Sequence, residues 1–285
     1  MIKPKDTPRL VRPRVWTALG TVAAAGLAAS TPVATTAAEV GASVAPPSFE
    51  LAQNTGAGKG TASQLRQGGE GEGAEVGGDE ADFLAAIGFM EGHLRAGLKL
   101  YETGDLAAAK THMGHPIKEK YNAVAPKLEE RGFGDLKATI VALADAAEAE
   151  QSVAEIQSLF AAVSARIDAV QAGSPGGAGA GLLSLSRLTR IAAAEYADGT
   201  KGGEISNLHE YQDSWGFLRT VEAEAKTYAA STDASIAKAG QAILEQVRGL
   251  DSAFGDIQGQ GDMTMDSTLL YAAAARIELA ALTVK

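Results

Sequence analysis

The sequence predicts an all-α protein, and three observations support this. From Glu80 to Lys285, Ala, Leu, Ile and Val recur at spacings of three and four residues, the period of an amphipathic helix. This region has no alternation of apolar and polar residues bounded by turn signals, the pattern expected of a β-strand. Aromatic residues make up only 5% of the chain and Ala is abundant. We therefore expect antiparallel helical bundles held together by many small helix–helix contacts.

Capping and turn residues divide the first predicted bundle, residues 80–172, into helices at about 80–102, 105–131, 134–150 and 152–173. The first helix stops at Thr103-Gly104, and Asp105 caps the second. Ser152 and Glu155 form a capping box for the fourth helix.

A glycine-rich stretch, GSPGGAGAG at residues 173–181, is predicted to be a loop between two halves. In the second half, residues 182–285, helices are predicted at about 182–198, 207–230, 233–250 and 264–283. Asn207, with Glu210 three residues later, opens the second of these. Four helices on each side of the loop predict two four-helix bundles in tandem.

The first 38 residues have the pattern of a cleavable secretory signal. Five basic residues precede the apolar run Val15–Ala29, and the small residues Thr36 and Ala38 fit a cleavage site before Glu39. The apolar run is shorter than the roughly 20 residues of a membrane-spanning helix. We therefore expect cleavage, no stable membrane span afterwards, and a periplasmic or secreted product; a retained N-terminal anchor is the alternative.

The residues after the signal are acidic and contain no cysteine. Residues 39–79 are rich in Gly and Glu and are predicted to be a disordered tether. Residues 1–38 hold five basic residues and one acidic residue, so their removal takes the formal charge from −10 to −14. This charge argues against nucleic acid as a partner, and suits cations, basic partners or solubility alone. The lack of cysteine excludes disulfides, thiolate metal sites and cysteine nucleophiles.

No catalytic residues are predicted, because the sequence contains no HExxH, Walker or G-x-S-x-G motif. No enzyme is therefore indicated, although a hydrolase of unknown type is not excluded.

Three of the four histidines lie in the first predicted hairpin. His93 comes about ten residues before the turn at Thr103-Gly104, and His112 and His115 come about nine and twelve residues after it. At a rise of roughly 1.5 Å per residue, these three residues reach within about 5 Å of the same height on adjacent antiparallel helices. His112 and His115 share one helix face, and Glu119 follows one turn later.

This arrangement predicts a site for a divalent or redox-active metal ion, either iron or copper, held by imidazole and carboxylate groups. Glu91 and Met90 are close to His93 in sequence and are candidate additional ligands; a thioether would favour copper. Pro116 should break the helical hydrogen bond to the carbonyl of His112 and free that oxygen beside the histidines. The alternative is an exposed polar face, or a capping cluster near a kink, with incidental histidines.

A candidate second metal site lies in the second half, formed by Glu195, His209 and Asp213. His209 and Asp213 are one helical turn apart on one face, and Glu195 lies at the end of the preceding helix. A single histidine beside carboxylates is more often a pH-sensitive hydrogen-bond partner, so both interpretations stay open.

Two stretches resemble a known family. GHLRAGLKLYETGDLAAAKTHMGHPIKEKY (92–121) and EYADGTKGGEISNLHEYQDSWGF (195–217) resemble the helical periplasmic domains that accompany bacterial high-affinity iron permeases of the oxidase-linked type. They are also similar, more distantly, to the imelysin-like iron-uptake proteins. The G-x-H-x-x-E pattern of the latter is met only at Gly92 and His93, since Ala96 stands in place of the Glu. The membrane helices and acidic iron motif of the permease are absent from the sequence.

The resemblance implies a periplasmic role in metal acquisition or delivery, with histidine and carboxylate ligands and an inner-membrane metal permease as partner. The alternative function is a non-enzymatic interaction or scaffold protein of the cell envelope, in which the histidines are incidental.

Overall fold

A computed structural model describes residues 78–284, which form helices joined by turns and loops and contain no β-strand. The predicted all-α class is confirmed. The helices are α1 Glu80–Thr103, α2 Leu106–His115, α3 Tyr121–Glu130, α4 Leu136–Glu148, α5 Val153–Ala172, α6 Gly177–Gly199, α7 Leu208–Ala229, α8 Ala234–Arg248 and α9 Thr268–Ala281. A π-helical turn, Pro116–Lys120, joins α2 to α3, and short 3-10 turns lie at Lys201–Gly203 and Asp251–Ala253.

The predicted signal at residues 1–38, and the predicted tether except for residues 78 and 79, lie outside the described part of the chain. Within the described part, none of the helices has both the length and the apolar character needed to cross a membrane.

The helix boundaries follow the capping residues that the sequence indicated. The side chains of Asp105, Ser152 and Asn207 each accept a hydrogen bond from a backbone N–H in the first turn of the helix that follows. Gly104 ends α1 with a φ of 88°, a left-handed conformation that favours glycine. The tight turn at 104–105 therefore makes α1 and α2 an antiparallel hairpin, as the placement of the histidines requires.

The glycine-rich stretch forms a shorter loop than the sequence suggested. The predicted loop covered residues 173–181, whereas α5 ends at Ala172 and α6 begins at Gly177. Gly181 lies inside α6, where an added Cβ would come within 1.8 Å of the Tyr228 hydroxyl oxygen. Glycine at this position makes room for the Tyr228 side chain and does not break the helix.

The apolar residues form two clusters that meet along α1. One cluster is built from α6 to α9 together with Phe89 of α1, and the other from α1 to α5 together with Ile257. Helix α1 packs against α2 and α5 of its own half and also against α6 and α7. The predicted halves are therefore in direct contact along α1, and their division into two separate bundles stays a prediction.

Glycines on both helices allow the close crossing of α1 and α7. A Cβ added to Gly216 would lie 2.3 Å from the carbonyl oxygen of Gly92, and one added to Gly92 would lie 2.3 Å from Cδ1 of Phe217. Neither distance is compatible with a side chain, so the two backbones approach more closely than any other residue type would permit. The crossing brings His93, the residue after Gly92, level with Asp213, which is about one turn before Gly216.

We expect Gly216→Ala to destabilise the protein by about 1–3 kcal/mol, because the added methyl group forces α1 and α7 apart. Chemical denaturation measures this change. Gly179→Ala is the matched control: Gly179 is also in a helix, but an added Cβ there meets no atom within 4 Å. This variant should gain up to about 1 kcal/mol from helix propensity. Equal stabilities of Gly216→Ala and the parent protein would contradict the close crossing.

Candidate metal centre

All four histidines of the chain converge on the carboxylate of Asp213. His93 comes from α1, His112 and His115 from α2, and His209 from α7, the helix that also carries Asp213. The centroids of neighbouring histidine rings are between 4.3 and 6.2 Å apart. We call these five residues the histidine cluster.

Carboxylate oxygens lie among the imidazole nitrogens of the histidine cluster. Oδ1 of Asp213 is 2.6 Å from Nδ1 of His93 and 2.8 Å from Nδ1 of His112. Its Oδ2 is 3.6 Å from Nδ1 of His209. On another side, Oε1 of Glu119 is 3.2 Å from Nδ1 of His115, and its Oε2 is 3.6 Å from Nε2 of His93.

The deepest part of the cluster is closed to solvent. His112 is 0% exposed and Asp213 is 3% exposed. The solvent edge is formed by Glu119 and His209, whose side chains are 25% and 31% exposed. Between these groups lies a cavity of about 10 Å³, roughly the volume that holds one water molecule. The gap between these side chains is therefore of the size of a small ion and not of a larger molecule.

Several buried nitrogens of the cluster lack the partners that buried polar atoms normally have. Within residues 78–284, both ring nitrogens of His93 and Nδ1 of His115 are without a hydrogen bond of normal geometry. The short approach of His93 to Asp213 is misaligned for one. A buried polar group without a partner costs about 1–3 kcal/mol. A metal ion would supply the missing partner for these nitrogens.

The donor atoms are close enough to share one ion. One ligand atom from each of His93, His112, His115 and Asp213 lies within 4.8 Å of all the others. Two ligands bound at about 2.0–2.2 Å from the same ion can be no more than about 4.4 Å apart. Four ligands arranged tetrahedrally at that distance from one ion are about 3.4 Å apart, so side-chain movements of about 1 Å would bring these atoms into a coordination sphere.

Gln212 orients His112 from the side opposite Asp213. Nε2 of His112 is 2.9 Å from Oε1 of Gln212, and Gln212 is 2% exposed. If Nε2–H donates to this amide oxygen, Nδ1 faces Asp213 at the centre of the cluster and offers a lone pair to an ion once it has lost its own proton. Histidines that bind metals commonly donate their other N–H to a carbonyl or carboxylate oxygen in this way.

Burial and neighbouring charges keep Asp213 and His115 in states that can bind a cation at neutral pH. Burial alone would raise the pKa of Asp213, but the adjacent imidazoles of His93 and His112 lower it well below its usual range. Burial likewise opposes protonation of His112, yet the hydrogen bond and charge of Asp213 outweigh it and raise the pKa of His112. Burial, with the charge of His93, lowers the pKa of His115 to about 3. Asp213 is thus ionised and His115 neutral, the states in which each can bind a cation.

A pair of buried carboxyl groups, Glu195 and Glu210, lies beside the cluster. Each is 5% exposed. Burial and a hydrogen bond shared with Glu210 raise the pKa of Glu195 to about 9, and burial also raises the pKa of Glu210. The pair therefore shares a proton at neutral pH, because two adjacent buried carboxylates cannot both stay charged without a cation.

The proline after His115 widens the helix without breaking it. The sequence predicts a break at Pro116 that frees the carbonyl of His112. In the structure the chain continues through the π-helical turn, where the N–H of Tyr121 donates to the carbonyl of Pro116. Such turns are frequent at functional sites. Here the π turn places Glu119 against both His93 and His115.

Two predicted ligands lie away from the histidine cluster. Glu91 accepts hydrogen bonds from Arg95 at 2.6 Å and Ser164 at 3.0 Å, and lines a different cavity. The reason is helical geometry: residues two apart, such as Glu91 and His93, lie about 200° apart around the axis. Met90 is fully buried in the apolar cluster of α1 to α5. Nearness in sequence to His93 was therefore a poor guide to these two residues.

The residues of the two separately predicted sites lie together in one cluster. His209 and Asp213 of the candidate second site lie against the histidines of the first hairpin, and Glu195 is next to them. The hairpin therefore does not form the cluster alone, since the central carboxylate comes from α7. The cause is the α1–α7 crossing, a long-range contact that no local pattern indicates. Gln212, by contrast, gave no recognisable signal in the sequence.

These features define an all-helical protein with a buried cluster of histidines and carboxylates. Residues 180–282 match the family model of the iron permease-associated 4-helix bundle domain, which confirms the resemblance to iron permease-associated domains. The match includes His209 and Asp213, whereas the other three histidines come before it. No curated protein and no solved structure matches the chain. The matched domain and the buried histidine–aspartate cluster together fit an iron-related function.

We expect Asp213→Asn to lower the pKa of His112 in the metal-free protein, because the hydrogen bond and negative charge that favour its protonated form are lost. A raised folded-state pKa gives stability that is present below the unfolded value of 6.5 and lost as pH rises through the folded value. That pH-dependent stability should therefore be reduced in the variant. Nuclear magnetic resonance titration of the histidine ring protons measures the pKa. Asp198→Asn, which alters a half-exposed carboxylate, is the control, and an unchanged His112 pKa in Asp213→Asn would contradict the assignment.

Proposed function

We propose that this protein is exported to the periplasm and there binds iron for uptake, with the histidine cluster as the binding site. The observation that carries the proposal is the convergence of all four histidines on the buried Asp213 in a chain that matches an iron permease-associated domain. A buried polar cluster of this kind is costly unless a ligand or a bound proton compensates it.

The histidine cluster contains no thioether, the soft ligand that would favour copper. The side chains of the cluster offer imidazole nitrogens and carboxylate oxygens, which suit first-row ions such as iron. Thioether ligands would favour copper, but Met90 and Met113 pack in the apolar cluster of α1 to α5. The thioether argument for copper is therefore lost, and the choice of iron rests on the match to the iron permease-associated domain.

Export and delivery follow from the remaining sequence features. The signal pattern of residues 1–38 supports export, and the match to an iron permease-associated domain supports an inner-membrane iron permease as the partner. The acidic chain attracts cations to its surface. Glu119 and His209 form the solvent edge of the cluster, so we propose that iron is taken up and released there.

The scaffold alternative accounts for less of the geometry. If the histidines were incidental, the ring nitrogens of His93 and Nδ1 of His115 would be buried without a well-aligned hydrogen bond within residues 78–284. Metal binding accounts for their position, their burial and their missing partners together.

We expect Fe²⁺, added without oxygen to the metal-free protein, to raise its melting temperature. A ligand that binds only the folded state at 100 times its Kd stabilises that state by about 2.7 kcal/mol. The double variant His112→Ala/His115→Ala removes two of the donor groups and should lose this shift. Differential scanning calorimetry measures the shift, and circular dichroism checks that the variant is folded without metal.

Glu129→Gln/Glu130→Gln is the matched control, since it removes two exposed carboxylates of α3 that lie outside the cluster. This control should keep the full shift. If Fe²⁺ leaves the melting temperature of the parent protein unchanged, or if the control loses the shift as the histidine variant does, the proposed site is wrong.

A further inference from the structure

The rings of His112 and His209 stack face to face in the histidine cluster. Their centroids are 4.3 Å apart and their planes differ by only 12°. The lone pair of an imidazole nitrogen lies in the plane of its ring, so the lone pairs of two stacked rings lie in two nearly parallel planes. One ion about 2.0–2.1 Å from a nitrogen of each ring would need those two planes to meet at the ion. The stacked rings therefore suit two ions side by side.

Asp213 offers a separate oxygen to each of the stacked rings. Its Oδ1 is 2.8 Å from Nδ1 of His112, and its Oδ2 is 3.6 Å from Nδ1 of His209. A carboxylate placed in this way can bind one ion with each oxygen. Bridged ions in two-metal sites are about 3.5–4 Å apart, which is close to the spacing of the two rings.

The donor atoms fall into two groups that share this carboxylate. One group contains His93, His112, His115 and Asp213, and the other contains His209, Glu210 and Asp213. Within each group, one ligand atom per residue lies within 4.8 Å of all the others. Asp213 is the common member of the two groups found in the described part of the chain.

The carboxyl groups around the cluster are numerous enough for two cations. Asp213, Glu195 and Glu210 are buried, and Glu119 lies at the solvent edge. Glu195 and Glu210 line the cavity on the side of His209. A second divalent ion at that side would be bound by carboxylate oxygens and would offset their negative charge.

We infer that the histidine cluster is a dinuclear centre in which Asp213 bridges two first-row metal ions. The first ion is held by His93, His112 and His115 with one oxygen of Asp213, and the second by His209 and Glu210 with the other oxygen. The inference rests on the proposed function, because it requires that the cluster binds metal at all.

The experiment measures how many ions each chain binds and whether they interact. Metal-free protein is loaded with Fe²⁺ without oxygen, separated from free metal by gel filtration, and analysed for iron per chain. A parallel sample is loaded with Mn²⁺ and examined by electron paramagnetic resonance. The inference predicts two ions per chain, and a Mn²⁺ spectrum of an exchange-coupled pair in place of the spectrum of isolated ions.

Substitutions on the side of the second ion make the test specific. His209→Ala should lower the content from two ions to one and abolish the coupling, while the first ion stays bound. Glu210→Gln keeps the size of the side chain and should likewise weaken the binding of the second ion. This variant provides the test if His209→Ala fails to fold. Asp198→Asn is the control: it changes a nearby half-exposed carboxylate and should keep two coupled ions.

The outcomes separate this inference from the proposed function. One ion per chain in the parent protein overturns the dinuclear centre and leaves iron binding intact. Two ions without coupling, or two ions retained in both His209→Ala and Glu210→Gln, also overturn it. No bound ion overturns both the dinuclear centre and the proposed function.

Discussion

The close crossing of α1 and α7 is the contact on which the rest of the site depends. Gly92 and Gly216 let the two backbones touch, and this contact sets the distance between His93 and Asp213. Without it, the buried carboxylate of Asp213 would not reach the three histidines of the first hairpin. The crossing also joins the two helical halves, because α1 packs against helices of both. Gly92 and Gly216 are therefore required for the histidine cluster to form, although neither is a candidate ligand.

Asp213 places a negative charge where a helical protein normally has apolar side chains. Removing one partner of a buried charge pair costs about 3–5 kcal/mol, since the other charge stays buried without compensation. In the metal-free protein the imidazoles of His93 and His112 lie against the carboxylate of Asp213 and lower its pKa, and a metal ion would take over this stabilisation of the carboxylate. Gln212 and Glu119 hold individual histidines in place around this charge. The apolar residues around the cluster exclude water and thereby strengthen each of these interactions.

Local physical chemistry explains which features could be predicted from the sequence. Helix periodicity and capping residues such as Asp105 and Ser152 act within one or two turns, so they located the helices and the first hairpin. The rise of an α-helix then placed His93 near His112 and His115. The same helical geometry, applied to Glu91, would have placed it on the opposite face from His93.

The remaining features depend on contacts between distant parts of the chain. The union of the hairpin histidines with His209 and Asp213 depends on the α1–α7 crossing, about 120 residues apart in sequence. The sequence predicts a loop at Gly181, but this glycine lies in a helix and makes room for the side chain of Tyr228. The sequence predicts a helix break at Pro116, but a π-helical turn there connects α2 to α3. Each difference arises because packing between helices outweighs a local preference.

Iron binding in the histidine cluster is tested most directly by locating the iron in crystals of the iron-loaded protein, with anomalous scattering at the iron absorption edge. We expect anomalous density in the histidine cluster, within about 2.0–2.2 Å of imidazole nitrogens and an oxygen of Asp213. Density confined to exposed carboxylates, or to the cavity lined by Glu91 and Glu224, would contradict it.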